Sequence, residues 1–297
     1  MFTKIISYFN KPKLLQRLQR KFKKLFFFEQ WALLVARNDT SQPSWEDFKL
    51  LLPPKDRFWA DPFLWQFNGE IYIFYEELPF KTKKGHISCI KLGRNLDILS
   101  NEVVLERPYH LSYPYLFEFQ GQLYMLPETK ENRCIEVYQC TQFPNKWERK
   151  GVLINDIEAV DSTLLESHGK WWLFANAVQN NGNAYDSLYL YYSDSPLSDH
   201  WHPHPLNPII YDIKRARPAG RVIEQNGHLI RPSQDCSIRY GYATNFNRIE
   251  RLTETDYRET YISSFVPPAN NPNILSTHTW NQLGNTYVID AEFWRRK

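Results

Sequence analysis

The sequence predicts an all-β fold, a five-bladed β-propeller with a short N-terminal basic helix. Three observations predict it. Five glycines (Gly69, Gly121, Gly169, Gly227 and Gly284) recur 48 to 58 residues apart, the period of propeller blades. The same hairpin phrase surrounds each of them. The chain is 16% aromatic, with 10 Trp and 18 Tyr, residue types that favour strands and also stack on sugar rings.

Taken in chain order, residues 1–30 form a basic arm and residues 31–297 the propeller. Residues 1–24 hold eight Lys or Arg and no acid, so the remaining chain is slightly acidic despite a net charge of +3. Within 11–28, Leu14, Leu15, Leu18, Phe22 and Leu25 fall at helical spacing between basic residues. Such a helix lies on an anionic membrane surface or docks its apolar stripe on the propeller. Trp31–Ala36 supplies a strand that closes the ring against the last blade.

The five phrases are ADPFLWQFNGEIYIFYEE, SYPYLFEFQGQLYMLPET, AVDSTLLESHGKWWLFANA, RPAGRVIEQNGHLIRPSQD and LSTHTWNQLGNTYVIDAE. Each is an alternating strand, a polar turn ending in glycine and a second strand, which is a hairpin signature. Three residues after the glycine stand Tyr72, Tyr124, Trp172, Ile230 and Tyr287. Outer strands are expected at Ile87–Leu92, Ile135–Cys140, Leu188–Ser193 and Ile238–Ala243.

Composition narrows the function. Near-neutral charge outside the arm argues against a nucleic-acid partner. The four cysteines show no zinc spacing and read as free thiols, with a Cys134–Cys140 bridge as the alternative. No secretory signal or spanning stretch is evident, so the expected location is cytoplasmic, peripheral on the inner membrane face. No cofactor or metal ligand set is evident.

Innermost strands of a propeller begin near the axis, where polar residues are not needed for packing. Eight residues before the glycines stand Asp61, Tyr113, Asp161, Ala219 and Ser276; seven after stand Glu76, Glu128, Asn176, Gln234 and Ala291. Two carboxylates across one pocket suit glycosidic chemistry, one ionised and one protonated. Asp61, Asp161 and Glu128 are therefore the candidate catalytic residues. The fourth copy adds Arg215, Arg217, Arg221 and Arg231, with Asp235 nearby. Arg217 and Arg221 flank the blade start and are candidates to hold an anionic group. Tyr113, Trp59 and His278 complete the candidate substrate-binding set.

WADPF and AVDSTLLESHGKWWLF resemble the first- and third-blade aspartate motifs of the arabinanase, β-xylosidase and invertase superfamily of five-bladed propellers. That resemblance implies Asp61 as general base or nucleophile and Asp161 as the residue that tunes and orients. In the arabinanase branch a histidine near a central ion corresponds to His278. YYSDSPL, HPLNPI, ARPAGR and IRPSQDCSIRYG resemble, more closely, the N-terminal domain of plant glucosamine inositolphosphorylceramide transferases and its bacterial relatives. This implies a setting in glycoconjugate synthesis. Where the hydrolases carry an acid glutamate in Glu-Gly-Pro, this chain reads Ala216-Arg217-Pro218, so Glu128 or Asp235 must substitute, or no acid is needed.

The expectation is a carbohydrate-active protein, an enzyme by preference, transferring or hydrolysing glycosidic bonds in cell-surface polysaccharide or glycolipid assembly. Its substrate would be a carbohydrate or nucleotide sugar. The alternative is a non-catalytic glycan-binding or scaffold propeller.

Overall fold

The computed structural model describes residues 22–39, 42–178 and 184–297. Five antiparallel sheets follow one another along the chain. Blade one is β3 (Arg57–Phe67), β4 (Glu70–Pro79), β5 (His86–Leu92) and β6 (Ile98–Leu105). Blade two is β7 (Ser112–Phe119), β8 (Gln122–Glu128), β9 (Cys134–Gln142) and β10 (Lys146–Asn155). Blade three holds β11 (Ala159–Ser167), β12 (Lys170–Ala177) and β13 (Ser187–Ser193), edged by β14 (His202–Pro203) and β15 (Ile210–Tyr211). Blade four is β16 (Ile223–Gln225), β17 (His228–Asp235), β18 (Ala243–Leu252) and β19 (Tyr257–Phe265).

Blade five joins the two ends of the chain. The N-terminal strand β1 (Phe27–Arg37) pairs along its whole length with β22 (Thr286–Arg296), and β2 (Lys49–Leu51) adds the outer edge. Inside, β20 (Ile274–Ser276) and β21 (Trp280–Leu283) pair with β22. The closing strand expected at Trp31–Ala36 is therefore present and longer than expected. Its apolar residues are buried on both faces, from Trp31 to Ala36.

Tight turns fix the register. In blades one to four, both central turn residues are left-handed: Asn68 and Gly69, Gln120 and Gly121, His168 and Gly169, Asn226 and Gly227. This backbone matches strand twist, and glycine adopts it without penalty. The fifth turn differs. Leu283 pairs with Thr286, so Gly284 takes the first turn position instead of the second.

Packing lies between blades. Phe63 and Phe74 of blade one meet Tyr115 and Trp147 of blade two edge to face, at centroid distances of 5.6 and 5.8 Å. Each such fully buried side chain contributes about 2 kcal/mol.

One expectation needs correction, one falls mostly outside the described residues, and the free-thiol reading of the cysteines holds. Ile238–Ala243 is not a strand: residues 236–242 form a loop, and the strand starts at Ala243. The physical reason is Gly241, at φ 57°, whose missing Cβ makes room for the His278 ring. Most of the basic helix expected at 11–28 lies outside the described residues. Residues 22–26 are helical, but Phe27 and Phe28 already belong to β1, so the propeller begins inside the segment assigned to the arm. All four cysteines are free thiols, and Cys134 and Cys140 are unbridged.

Candidate active site

The innermost strands of blades one to three share a backbone irregularity at their axial starts. Pairing skips between Ala60 and Phe63, Ser112 and Tyr115, and Val160 and Thr163. Within each skip sits a left-handed residue: Asp61 (φ 51°), Tyr113 (φ 45°) and Asp161 (φ 52°). A non-glycine residue there costs on the order of 1–3 kcal/mol, and bulges re-aim side chains. The slot read from the sequence is thus one recurring conformation that turns a side chain to the axis.

A second ring surrounds it. Glu76 pairs with Ala60, Glu128 with Ser112 and Asn176 with Val160. Gln234 occupies the corresponding place in blade four, and Glu292, opposite Ser276, does so in blade five. Alignment on Gly284 had put Ala291 in this ring; the earlier turn moves the register by one, and the fifth member is Glu292.

The candidate catalytic residues are brought together. Asp61 and Asp161 are buried and close enough that each charge bears on the other's surroundings: burial is the main cause raising the Asp61 carboxyl well above the usual range. His278 opposes that rise, while the charges of Asp161, Glu76 and Asp290 add to it. Thr279 donates its hydroxyl to Asp61 Oδ1 at 3.0 Å. Asp161 is gripped by Arg217, whose Nε and Nη2 donate to Oδ2 and Oδ1 at 2.5 and 3.3 Å, and by Gln234 Nε2 at 2.9 Å.

Glu128 has a different environment. Burial is the largest influence, and with the Asp161 charge it raises the carboxyl to about 7 against the pull of Arg217 and His110. Its Oε2 is buried without a hydrogen-bond partner. Glu128 also lines a cavity of about 550 Å³ with His110, Lys130, Glu131, Arg133 and Glu158. His110 Nδ1 accepts the Gly85 N–H at 2.9 Å, which leaves Nε2 to face Glu76 at 3.2 Å.

His278 lies in the pocket as expected, stacked on Trp31 at 4.2 Å. Its Nδ1 is 2.6 Å from Asp290 Oδ2, and its Nε2 is 3.6 Å from Asp61 Oδ1. Burial alone would lower its pKa, but the carboxylates of Asp290 and Asp61 prevail and push it up to about 9. Asp290 also accepts the backbone N–H groups of Asp61, His278 and Thr279 at 2.9–3.0 Å. Asp61, His278 and Asp290 offer ligand atoms within 4.8 Å of one another. Both oxygens of Asp290 and the Oδ1 of Asp61 already accept protein donors.

The remaining assignments separate into floor, core and rim. Tyr113 is fully buried beneath the pocket: its hydroxyl accepts the Gly220 N–H at 2.7 Å and bonds Thr163 Oγ1 at 2.9 Å. Arg221 lies beside it, donating to the Leu116 carbonyl at 2.7 Å over the Tyr115 ring, so it seals the axis and grips no ligand. Trp59 is a core residue between β1 and blade one, its indole bonded to Glu77 at 3.2 Å. Asp235 caps the next loop through Ser237 and lines a separate surface cleft with Arg215, which pairs with Asp212. Arg231 is sealed inside blade four by two 2.8 Å bonds to Glu259. Of the four arginines, Arg217 alone reaches the pocket, and a carboxylate already holds it.

Sequence reasoning missed Asp290, Tyr240 and Trp31. Tyr240 stands on the 236–242 loop with Arg217 5.1 Å from its ring centroid, and Tyr185 faces the same guanidinium at 5.6 Å. Asp290 was detectable: in correct register it occupies the position of Phe74, Leu126 and Phe174, where a carboxylate is out of place in a core.

The fold is that of the five-bladed glycoside hydrolases. A family 117 glycoside hydrolase of the marine bacterium Zobellia galactanivorans superposes with a TM-score of 0.56 at 14% identity, covering 90% of each chain. An exo-1,5-α-L-arabinanase from a bovine ruminal metagenomic library superposes at 0.52 and 15% identity, covering 81% of this chain and 94% of its own. The chain itself belongs to the family described as glucosamine inositolphosphorylceramide transferase 1, N-terminal, which it matches over residues 53–289. It is 34% identical over 241 residues to the glucosamine inositolphosphorylceramide transferase 1 of Oryza sativa subsp. japonica, covering 79% of this chain and 31% of the relative. The Arabidopsis thaliana protein of the same name is 34% identical over 235 residues, 75% and 29%. The chain thus spans less than a third of these relatives' length. Glycosyltransferase-named relatives and hydrolase-fold neighbours together support a carbohydrate-active function.

Proposed function

We propose that this propeller breaks or transfers a glycosidic bond in cell-surface polysaccharide or glycolipid synthesis, with Glu128 as proton donor in place of the missing blade-four acid. The observation that carries the reading is Glu128 itself: a carboxyl raised to about 7, with an unbonded oxygen, on the wall of a polar cavity. An acid of that pKa is about half protonated at neutral pH and still strong enough to give its proton to a leaving oxygen.

In this reading the sugar sits over the axial floor between Asp61 and Asp161. Asp61 takes the proton of the attacking hydroxyl, either water or an acceptor alcohol, in its ionised form, which burial disfavours and the positive charge of His278 favours. Asp161, fixed by Arg217 and Gln234, orients the ring and holds Glu128 protonated by charge repulsion. The cavity beyond Glu128 receives the leaving or accepting group. A nucleotide-sugar donor would depend little on Glu128, since its phosphate leaves with little protonation.

The test is turnover and binding across nitrophenyl glycosides, nucleotide sugars and acidic oligosaccharides. Wild type turns over at least one, Glu128→Gln loses most activity on poor leaving groups, and good leaving groups are spared. Glycan binding without turnover, unchanged by Asp61→Asn and Glu128→Gln, would establish the scaffold reading instead.

A further inference from the structure

We propose that the face of the propeller bearing the pocket docks on an anionic lipid surface. Three segments meet on that face. The strand β1 starts there, because Phe27 pairs with Arg296 while Arg37 pairs with Thr286 beside the distant hairpin turn. The loop after β4 and the loop after β17 emerge on the same side. They touch one another: the Phe28 ring lies 6.2 Å from Phe80, and Arg239 binds Glu29 at 3.5 Å and Glu292 at 2.9 Å.

Together they expose large apolar side chains that none of the described residues covers. Phe22, Leu25 and Phe26 are 66%, 63% and 56% exposed, and Ile238 is 69% exposed. Cations interleave with them. Lys24, Lys81 and Lys83 are exposed, and Lys23 lies 4.8 Å over the Trp294 ring. The two carboxylates nearest, Glu29 and Glu292, are occupied by Lys24 and Arg239. Upstream sequence continues the pattern, with six cations and no acid in residues 1–21.

Apolar tips among exposed cations match the boundary between headgroups and acyl chains. Each such cation near an anionic leaflet strengthens partition by about fivefold. A protein partner would need carboxylates to answer these lysines; an anionic bilayer presents them everywhere. Docking stands apart from the catalytic reading, but one consequence rests on it: the carbohydrate would be lipid-carried or held at the membrane, since the candidate site lies at the same end of the strands.

The experiment is co-sedimentation of the full chain with vesicles of phosphatidylcholine alone or with about one third phosphatidylglycerol. Binding is expected with phosphatidylglycerol only, weakened by salt. Lys81→Glu with Lys83→Glu lowers it about tenfold or more, and Ile238→Ser lowers it further, with melting temperature unchanged because these side chains are exposed. Glu128→Gln binds vesicles as wild type whatever its chemistry, so the two readings fail separately. Equal binding to both vesicles, or none, overturns the proposal. So does a result in which Phe22→Ser, Leu25→Ser and Phe26→Ser abolish binding while the loop variants keep it in full, because the arm alone would then dock.

Discussion

The two halves of the pocket differ in how far their carboxylate and amide groups are satisfied, although Thr277 Oγ1 in blade five is also buried without a partner. On the side of blades five and one, Asp290 accepts three backbone N–H groups and the His278 ring, and Asp61 accepts Thr279. On the side of blades two and three, Glu128 Oε2 and both amide atoms of Asn176 are buried without partners. A buried polar group without a partner costs about 1–3 kcal/mol. The first half is therefore a structural knot that holds its carboxylates in place. The second keeps unspent hydrogen-bonding capacity beside a cavity, where a ligand can use it.

Breaking the knot should have the largest effect. Asp290→Ala strands the His278 charge and three N–H groups, and should cost about 3–5 kcal/mol in denaturant unfolding. A loss under 1 kcal/mol would mean the knot is not what fixes Asp61. Next comes alkaline pH. The His278 pKa is raised to about 9, so its contribution is complete below about 6.5 and fades as pH rises through 9. Unfolding free energy should fall by about 3 kcal/mol across that window, and His278→Gln should flatten the fall.

Glu128 should behave with a related sign but for an opposite purpose. Its carboxyl is raised, so the fold is most stable with it protonated, and stability is lost as pH climbs from about 4.5 to about 7. Glu128→Gln should match wild type at pH 4 and exceed it by about 1–3 kcal/mol at pH 8. The smallest effect is expected at Asn176. Asn176→Leu should be neutral or stabilising by about 1 kcal/mol, because it removes unpaired polar atoms, yet it should weaken glycan binding. Destabilisation would assign Asn176 to structure.

The difference between the halves also marks how far the sequence can be read. The hairpin period exposed Asp61, Asp161, Glu128 and the closing strand, because one conformation recurs with one spacing. Asp290 and Glu292 escaped because the fifth turn places its glycine one residue earlier, which slides every alignment beyond it. Tyr240 and Tyr185 stand on loops with no period. The fates of Arg217, Arg221 and Arg231 depend on which carboxylate or carbonyl each meets across the fold, and local sequence carries no trace of that choice. Trp59 shows the same limit: two residues before a pocket aspartate in the chain, it packs in the core between β1 and blade one.

The central claim is that Glu128 is an acid poised near neutrality beside the Asp161–Arg217 ion pair. The most direct measurement is a carbon-13 NMR titration of the glutamate carboxyl carbons, with Glu128→Gln to assign the resonance. A midpoint near 7 is predicted. A midpoint at the ordinary glutamate value, about 4.3, would contradict the account, because the residue would be ionised when a proton is required.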